Sequence, residues 1–226
     1  MMNWSDYESQ EAQMLGLAER VASELSEALA QKSRASLVVP GGTTPSPFLR
    51  NLSMQELDWS RVDVLLGDER FVPTTSPRSN TKLIRETLLQ NHAVNGCMMD
   101  FWQPDTTPEQ MIEKLRQQLP DVLDVCVLGM GTDMHTASLF PDMPNIADAL
   151  DDPNDQKVFV VRPEGQETRL SLSAPVLASA KFLHLLIIGQ EKKDALNRAV
   201  ATENTHKAPI KALITKHGNM NVHFSY

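Results

Sequence analysis

The chain has 226 residues, 41% of them hydrophobic and 22% charged, with a formal net charge of -8. That length can bury one sizeable core without disulfides or metal, and we read residues 1–226 as a single domain. The acidic balance excludes a general nucleic-acid surface, which needs clustered lysine and arginine, but it allows an anionic small molecule gripped by a few local cations.

In chain order, Met1 to Glu8 lack the basic region followed by an apolar one that marks an export signal. From Glu8 to Gln31, Met14, Leu17, Ala18, Val21, Leu25, Ala28 and Leu29 recur at helical spacing, with Glu19, Arg20, Glu24 and Glu27 opposite, and an amphipathic helix is expected. Ser36 to Pro40 reads as a strand stopped by Gly41-Gly42, with Pro45 or Pro47 placed to open a short helix. Val62 to Leu66 is a second strand, Gly67 to Ser79 a proline-rich loop longer than a connection needs, and Asn80 to Leu89 a helix. Pro108 to Leu119 reads as helical, and Val122 to Leu128 as an apolar strand buried on both faces. Ala147 to Asp155, rich in Asp, reads as a surface excursion. Lys157 to Arg162 and Arg169 to Leu172 are short strands, Ala174 to Ala180 a short helix, and Lys181 to Ile188 a buried strand ended by Gly189. The helix Glu191 to Ala201 and a final strand at Val222 to Phe224 complete the series. Strands alternating with helices predict an α/β fold with a mainly parallel sheet and helices on both faces.

Cys97 and Cys126 are not at a metal spacing and read as reduced, buried thiols. The longest apolar run, Phe182 to Ile188, is too short to span a bilayer, so a soluble, cytoplasmic protein without a membrane partner is expected. No histidine pair lies beside a cysteine or carboxylate at zinc-ligand spacing. His92, His184, His206, His217 and His223 read as structural or surface residues, and Lys193 as solvated.

Glycine turns ending the predicted strands are where chemistry would sit, because open α/β sheets bind ligands at strand C-termini. Gly41-Gly42-Thr43-Thr44-Pro45 offers small residues, amides and hydroxyls before a helix N-terminus, which suits a phosphate or a sugar hydroxyl. It is neither a Walker loop nor a dinucleotide fingerprint, lacking the lysine-serine end of one and the third glycine of the other. Gly67-Asp68-Glu69-Arg70 puts three charges at another strand end, where charges have to be paired or used. Gly129-Met130-Gly131-Thr132-Asp133-Met134-His135 delivers a histidine, which titrates near neutrality and can serve as acid or base. In Gly189-Gln190-Glu191-Lys192 the lysine lies on the first turn of a helix, disfavoured by the macrodipole unless an anion binds there, and Arg169 begins a short strand just ahead. Each turn alone has a plain structural reading, and their convergence favours a site.

Together, Val39-Pro40-Gly41-Gly42-Thr43-Thr44-Pro45, Gly67-Asp68-Glu69-Arg70-Phe71-Val72-Pro73 with Ser79-Asn80, Gly129 to Pro141, and Gly189 to Lys192 resemble the 6-phosphogluconolactonase family, in family order and over nearly the whole chain. The resemblance implies a modified Rossmann-like sheet shared with glucosamine-6-phosphate deaminases, no nucleotide cofactor, no metal, and hydrolysis of 6-phospho-D-glucono-1,5-lactone to 6-phosphogluconate. It implies His135 as base toward water and then acid toward the ring oxygen, with Asp133 or Asp68 orienting it. Arg169 and Lys192, with Gly41, Gly42, Thr43 and Thr44, would bind the substrate through its phosphate, and Arg70 would contact the phosphate or the developing anion. The alternatives are an isomerase-deaminase and a non-catalytic sugar-phosphate sensor. Related deaminases tend to carry tyrosine where this chain has Arg70, and an acidic residue where it has Leu139-Phe140-Pro141; a sensor would need a basic helix-turn-helix ahead of the domain. The family usually has glycine at the position of Met134, so the methionine implies a residue without positive φ.

Overall fold

The computed structural model describes residues 2–226. Its elements are β1 (Met2–Asp6), α1 (Gln10–Gln31), β2 (Ala35–Val39), α2 (Ser46–Ser53), β3 (Val62–Leu66), β4 (Asp68–Arg70), α3 (Asn80–Thr87), β5 (Cys97–Met98), α4 (Pro108–Gln118), β6 (Val125–Gly129), α5 (Ile146–Asp151), β7 (Val158–Val161), β8 (Arg169–Leu172), α6 (Ala174–Ala178), β9 (Phe182–Ile188), α7 (Gln190–Ala201), α8 (Pro209–His217) and β10 (Met220–Ser225). A 7-stranded sheet runs β1-β10-β9-β6-β2-β3-β5, and a 3-stranded antiparallel sheet runs β4-β8-β7. Every pairing in the larger sheet is parallel. This is the α/β architecture that the alternating pattern predicts.

Packing explains why these segments hold. All five residues of β2 are buried, as a strand covered on both faces requires. α1 buries Met14, Leu17, Ala18, Val21, Leu25 and Ala28 along one face, and Ser9 caps its start by accepting from the Ala12 amide at 3.1 Å. Each fully buried leucine on that face contributes on the order of 1.5–3 kcal/mol. Register then aligns the strand ends: Val39 pairs with Leu66, and Gly129 with Leu186, so the turns after β2, β3, β6 and β9 emerge on one edge. At the opposite edge Asp124 fastens β6 to β2. Its Oδ2 accepts from the Ser36 amide at 2.7 Å, and Lys32 Nζ lies 2.6 Å from Oδ1.

Several expectations need correction. β6 begins at Val125 rather than Val122, because Val122 is 59% exposed and Asp124 turns its side chain to the Ser36 backbone. Asp68 to Arg70 form a strand rather than the start of a loop, since β8 offers an antiparallel partner. The segment read as a surface excursion, Ala147 to Asp155, holds all of α5 but its first residue, and within it Ala149 and Leu150 are buried. β1, β5 and α8 were unanticipated. Cys97 is exposed at the sheet edge, while Cys126 is buried and its thiol is pushed up by burial. Lys193 is not simply solvated: its Nζ sits 4.2 Å from the Phe224 ring centroid and 3.7 Å from Asp6 Oδ1. No helix among the described residues is long and apolar enough to cross a membrane.

Candidate active site

The strand-end turns enclose a cleft of about 240 Å³. From β2 come Gly41, Gly42 and Thr44; from β3 and β4, Gly67, Asp68 and Arg70; from β6, Gly129, Gly131, His135 and Ala137. Asn80 of α3, Arg169 of β8 and Lys192 of α7 complete it. Thr43 and Asp133 do not line it. Thr43 is exposed and accepts from the Ser46 amide at 3.1 Å in the turn into α2. Asp133 stands behind His135.

The two glycines after β2 serve different needs. Gly42 has φ +88°, open to glycine at no steric cost, whereas a side chain on Gly41 would overlap the Asn80 amide packed against it. Asn80 donates to the Asp68 carbonyl at 3.0 Å and is buried. Its position follows from Glu69, whose carboxylate accepts from the amides of Asn80 at 2.8 Å, Thr81 at 2.7 Å and Arg70 at 2.7 Å, and from the Ser79 hydroxyl at 3.0 Å. Burial pushes the Glu69 pKa up, and these amide hydrogen bonds oppose it. Glu69 is therefore the structural charge of the Asp-Glu-Arg run, holding the start of α3 against the cleft.

His135 Nδ1 lies 2.6 Å from Asp133 Oδ1. A carboxylate can only accept, so Nδ1 donates and the lone pair is left on Nε2. Gly131 provides the room, since a side chain there would overlap both His135 and Asp133. Met134 has φ +71°, contrary to the expectation drawn from its being methionine. One local and one tertiary hydrogen bond fix the turn: the Met134 amide donates to the Gly131 carbonyl at 3.0 Å, and its own carbonyl accepts from the Ile210 amide of α8 at 3.2 Å. Asp68 does not touch His135. It accepts a short hydrogen bond from the Ser138 hydroxyl and lies 3.7 Å from Arg169 Nη1.

Arg70 and Arg169 are direct cross-strand partners in the β4/β8 pair, where like charges repel. Each has a buried Nε without a hydrogen-bond partner. An unmet buried donor costs about 1–3 kcal/mol. Burial lowers the Arg169 pKa, Asp68 raises it and Arg70 lowers it further. Its guanidinium also lies 5.3 Å from the Phe140 ring centroid, and that ring is 4.9 Å from the ring of His135. Lys192 has no hydrogen-bond or ion-pair partner among the described residues, and burial lowers its pKa. It sits on the first turn of α7, whose N-cap Gly189 supplies no side-chain cap, leaving helix amides for an anion. Among the described residues, no group of three or more His, Cys, Asp or Glu side chains could hold a metal ion.

Sequence reasoning named most of this cleft but gave Asn80 no role. The available signal was Ser79-Asn80 following Glu69, a capping residue at a helix start.

The family model described as glucosamine-6-phosphate isomerases/6-phosphogluconolactonase matches residues 8–222. The chain is 41% identical over 206 residues to the 6-phosphogluconolactonase of Pseudomonas aeruginosa, covering 89% of this chain and 87% of that one. It is 39% identical to that of Rhizobium meliloti, covering 95% and 94%. A crystal structure of a 6-phosphogluconolactonase from Shewanella baltica superposes with a TM-score of 0.93 at 31% identity, covering 100% of this chain and 98% of the other.

Proposed function

The chain belongs to the family of glucosamine-6-phosphate isomerases and 6-phosphogluconolactonases, and on that premise we propose that it hydrolyses 6-phospho-D-glucono-1,5-lactone to 6-phospho-D-gluconate in the oxidative pentose phosphate pathway. The observation that carries the reading is that His135, backed by Asp133, opens on the same cleft as three cations, two of which have unmet donors.

His135 Nε2 takes a proton from water, and the resulting hydroxide forms a bond to C1 of the lactone. The C1–ring oxygen bond then breaks, and the protonated His135 returns its proton to the departing oxygen, regenerating the base. Asp133 holds the tautomer and stabilises the imidazolium that forms between the two steps. Arg169 and Lys192 take the 6-phosphate with the backbone of Gly41 and Gly42 and the Thr44 hydroxyl, and Arg70 shares that anion with its cross-strand neighbour. A phosphate held this way fixes C1 beside His135, turning binding energy into position. Asp68, tied to Ser138 and facing Arg169, aims a cation rather than abstracting a proton. Two free thiols, one exposed, favour a reducing, cytoplasmic setting.

Proton release from the phosphorylated lactone, with the spontaneous rate subtracted, tests the activity. Run in deuterated water, the product should carry no deuterium at C2. Incorporation there, with ammonia released from glucosamine 6-phosphate at a comparable rate, would replace this reading by an isomerase-deaminase.

A further inference from the structure

Resting on the reading of Arg70 and Arg169 as phosphate-binding cations, we propose that Arg78 and Glu167 form a latch that positions both guanidiniums and so sets affinity for the phosphorylated substrate. The two residues meet fork to fork, Arg78 Nε donating to Glu167 Oε1 at 2.9 Å and Nη2 to Oε2 at 3.2 Å. They join the loop that leaves β4 to the loop that enters β8. Each loop grips one guanidinium beside the latch: Arg70 Nη1 donates to the Arg78 carbonyl at 2.8 Å, and Arg169 Nη2 to Gln166 Oε1 at 2.8 Å. Between latch and strands, the Phe71 amide donates to the Thr168 carbonyl at 2.7 Å, so the β4/β8 pairing runs on toward the ion pair.

The geometry gives these grips unusual weight. Both buried Nε atoms lack partners, so the orientation of each guanidinium depends on its terminal nitrogens and on what holds them. The latch itself is on the surface, its side chains 54% and 32% exposed. A pair so placed contributes little to global stability, yet its bidentate form fixes one loop against the other. Arg78, first, and the Glu167 backbone, second, hold the Glu167 carboxyl down at about 2, so the pair stays ionised throughout the neutral range. Arg78 and Glu167 are thus positioning residues that act through Arg70 and Arg169.

The test compares Glu167→Gln, Arg78→Gln and the exchange Arg78→Glu/Glu167→Arg with the unchanged protein, using Kd for 6-phosphogluconate and KM and kcat for the lactone. Each single variant should raise Kd and KM about 2–5-fold, the range of an exposed ion pair, with kcat within about twofold. Turnover of unphosphorylated gluconolactone should not move. The exchange keeps the Arg78 carbonyl and Gln166, so it should restore KM if the bridge matters as a bridge. Unchanged KM in the single variants would overturn the latch, as would an exchange variant no better than the singles, and KM falling in Glu167→Gln while it rises in Arg78→Gln would overturn it in favour of a through-space charge effect. Arg169→Met separates the two levels: if it leaves KM unchanged, the phosphate-binding reading fails, and if it raises KM while the latch variants do not, only the latch fails.

Discussion

Replacing Asp133 by Asn tests the chemistry with the smallest change in shape. The Asp133 carboxylate accepts from His135 Nδ1 at 2.6 Å and, more weakly, from the His135 amide at 3.3 Å. An asparagine can turn its NH2 toward Nδ1, which then accepts, and the hydrogen moves to Nε2, where it blocks the base. Even with the other amide orientation, the charge that stabilises the imidazolium is gone. General acid-base catalysis is worth about 10²–10⁴-fold, which bounds the loss of kcat. Because the Asp133 side chain is 54% exposed, solvent screens part of its charge, and we expect a fall of about 10–100-fold with KM changed little. Asp133→Ala should do no worse than Asp133→Asn, since it leaves the tautomer free. Proton-release rates at saturating lactone measure both. Wild-type kcat in Asp133→Asn, beside an impaired His135→Asn, would refute Asp133 as the orienting group.

Other outcomes follow from the same geometry. His135→Asn should lose about 10²–10⁴-fold in kcat while 6-phosphogluconate still binds, and near-native turnover would make His135 structural. Lys192→Met should raise KM for the phosphorylated lactone about 10–100-fold, the size of one charge-assisted contact, and that for the unphosphorylated lactone far less; equal effects would show that Lys192 does not touch phosphate. Away from the cleft, burial and the neighbouring His184 and Arg20 push the His223 pKa down to about 3. Between its ordinary value near 6.5 and about 3 the unfolded chain binds a proton that the folded chain refuses, so stability falls as pH falls across that window. Urea unfolding at pH 7.5 and pH 5 should differ by about 1–2 kcal/mol from this residue, and His223→Gln should narrow the gap. An undiminished gap in that variant would assign the acid sensitivity elsewhere.

Parts of the molecule were legible because their residues face one environment. β2 and β9 are covered on both sides and read as apolar runs, and α1 reads from its single stripe. β1 was not legible, since it pairs only with β10 and its sequence MNWSD alternates apolar with polar in too short a window. α8 carries Pro209 at its start and Gly218 past its end, signals that could have found it. Asn80 was harder, because what places it is Glu69, distant from it in sequence.

Met134 shows where residue type ceases to report backbone conformation. A left-handed residue other than glycine costs roughly 1–2 kcal/mol, so sequence alone argues against methionine at φ +71°. Here three contacts hold the residue in place: the hydrogen bond from its amide to Gly131, the hydrogen bond from Ile210 to its carbonyl, and a side chain packed against the core. The last is one that glycine cannot make, and burying part of a methionine offsets strain of that size. The helix that supplies Ile210 is α8, the element the sequence left unread, so the conformation just ahead of His135 was hidden for the same reason as the helix. The turn that carries His135 is thus fastened to the C-terminal part of the chain, and its shape depends on that tertiary contact as well as on the local Gly131–Met134 hydrogen bond.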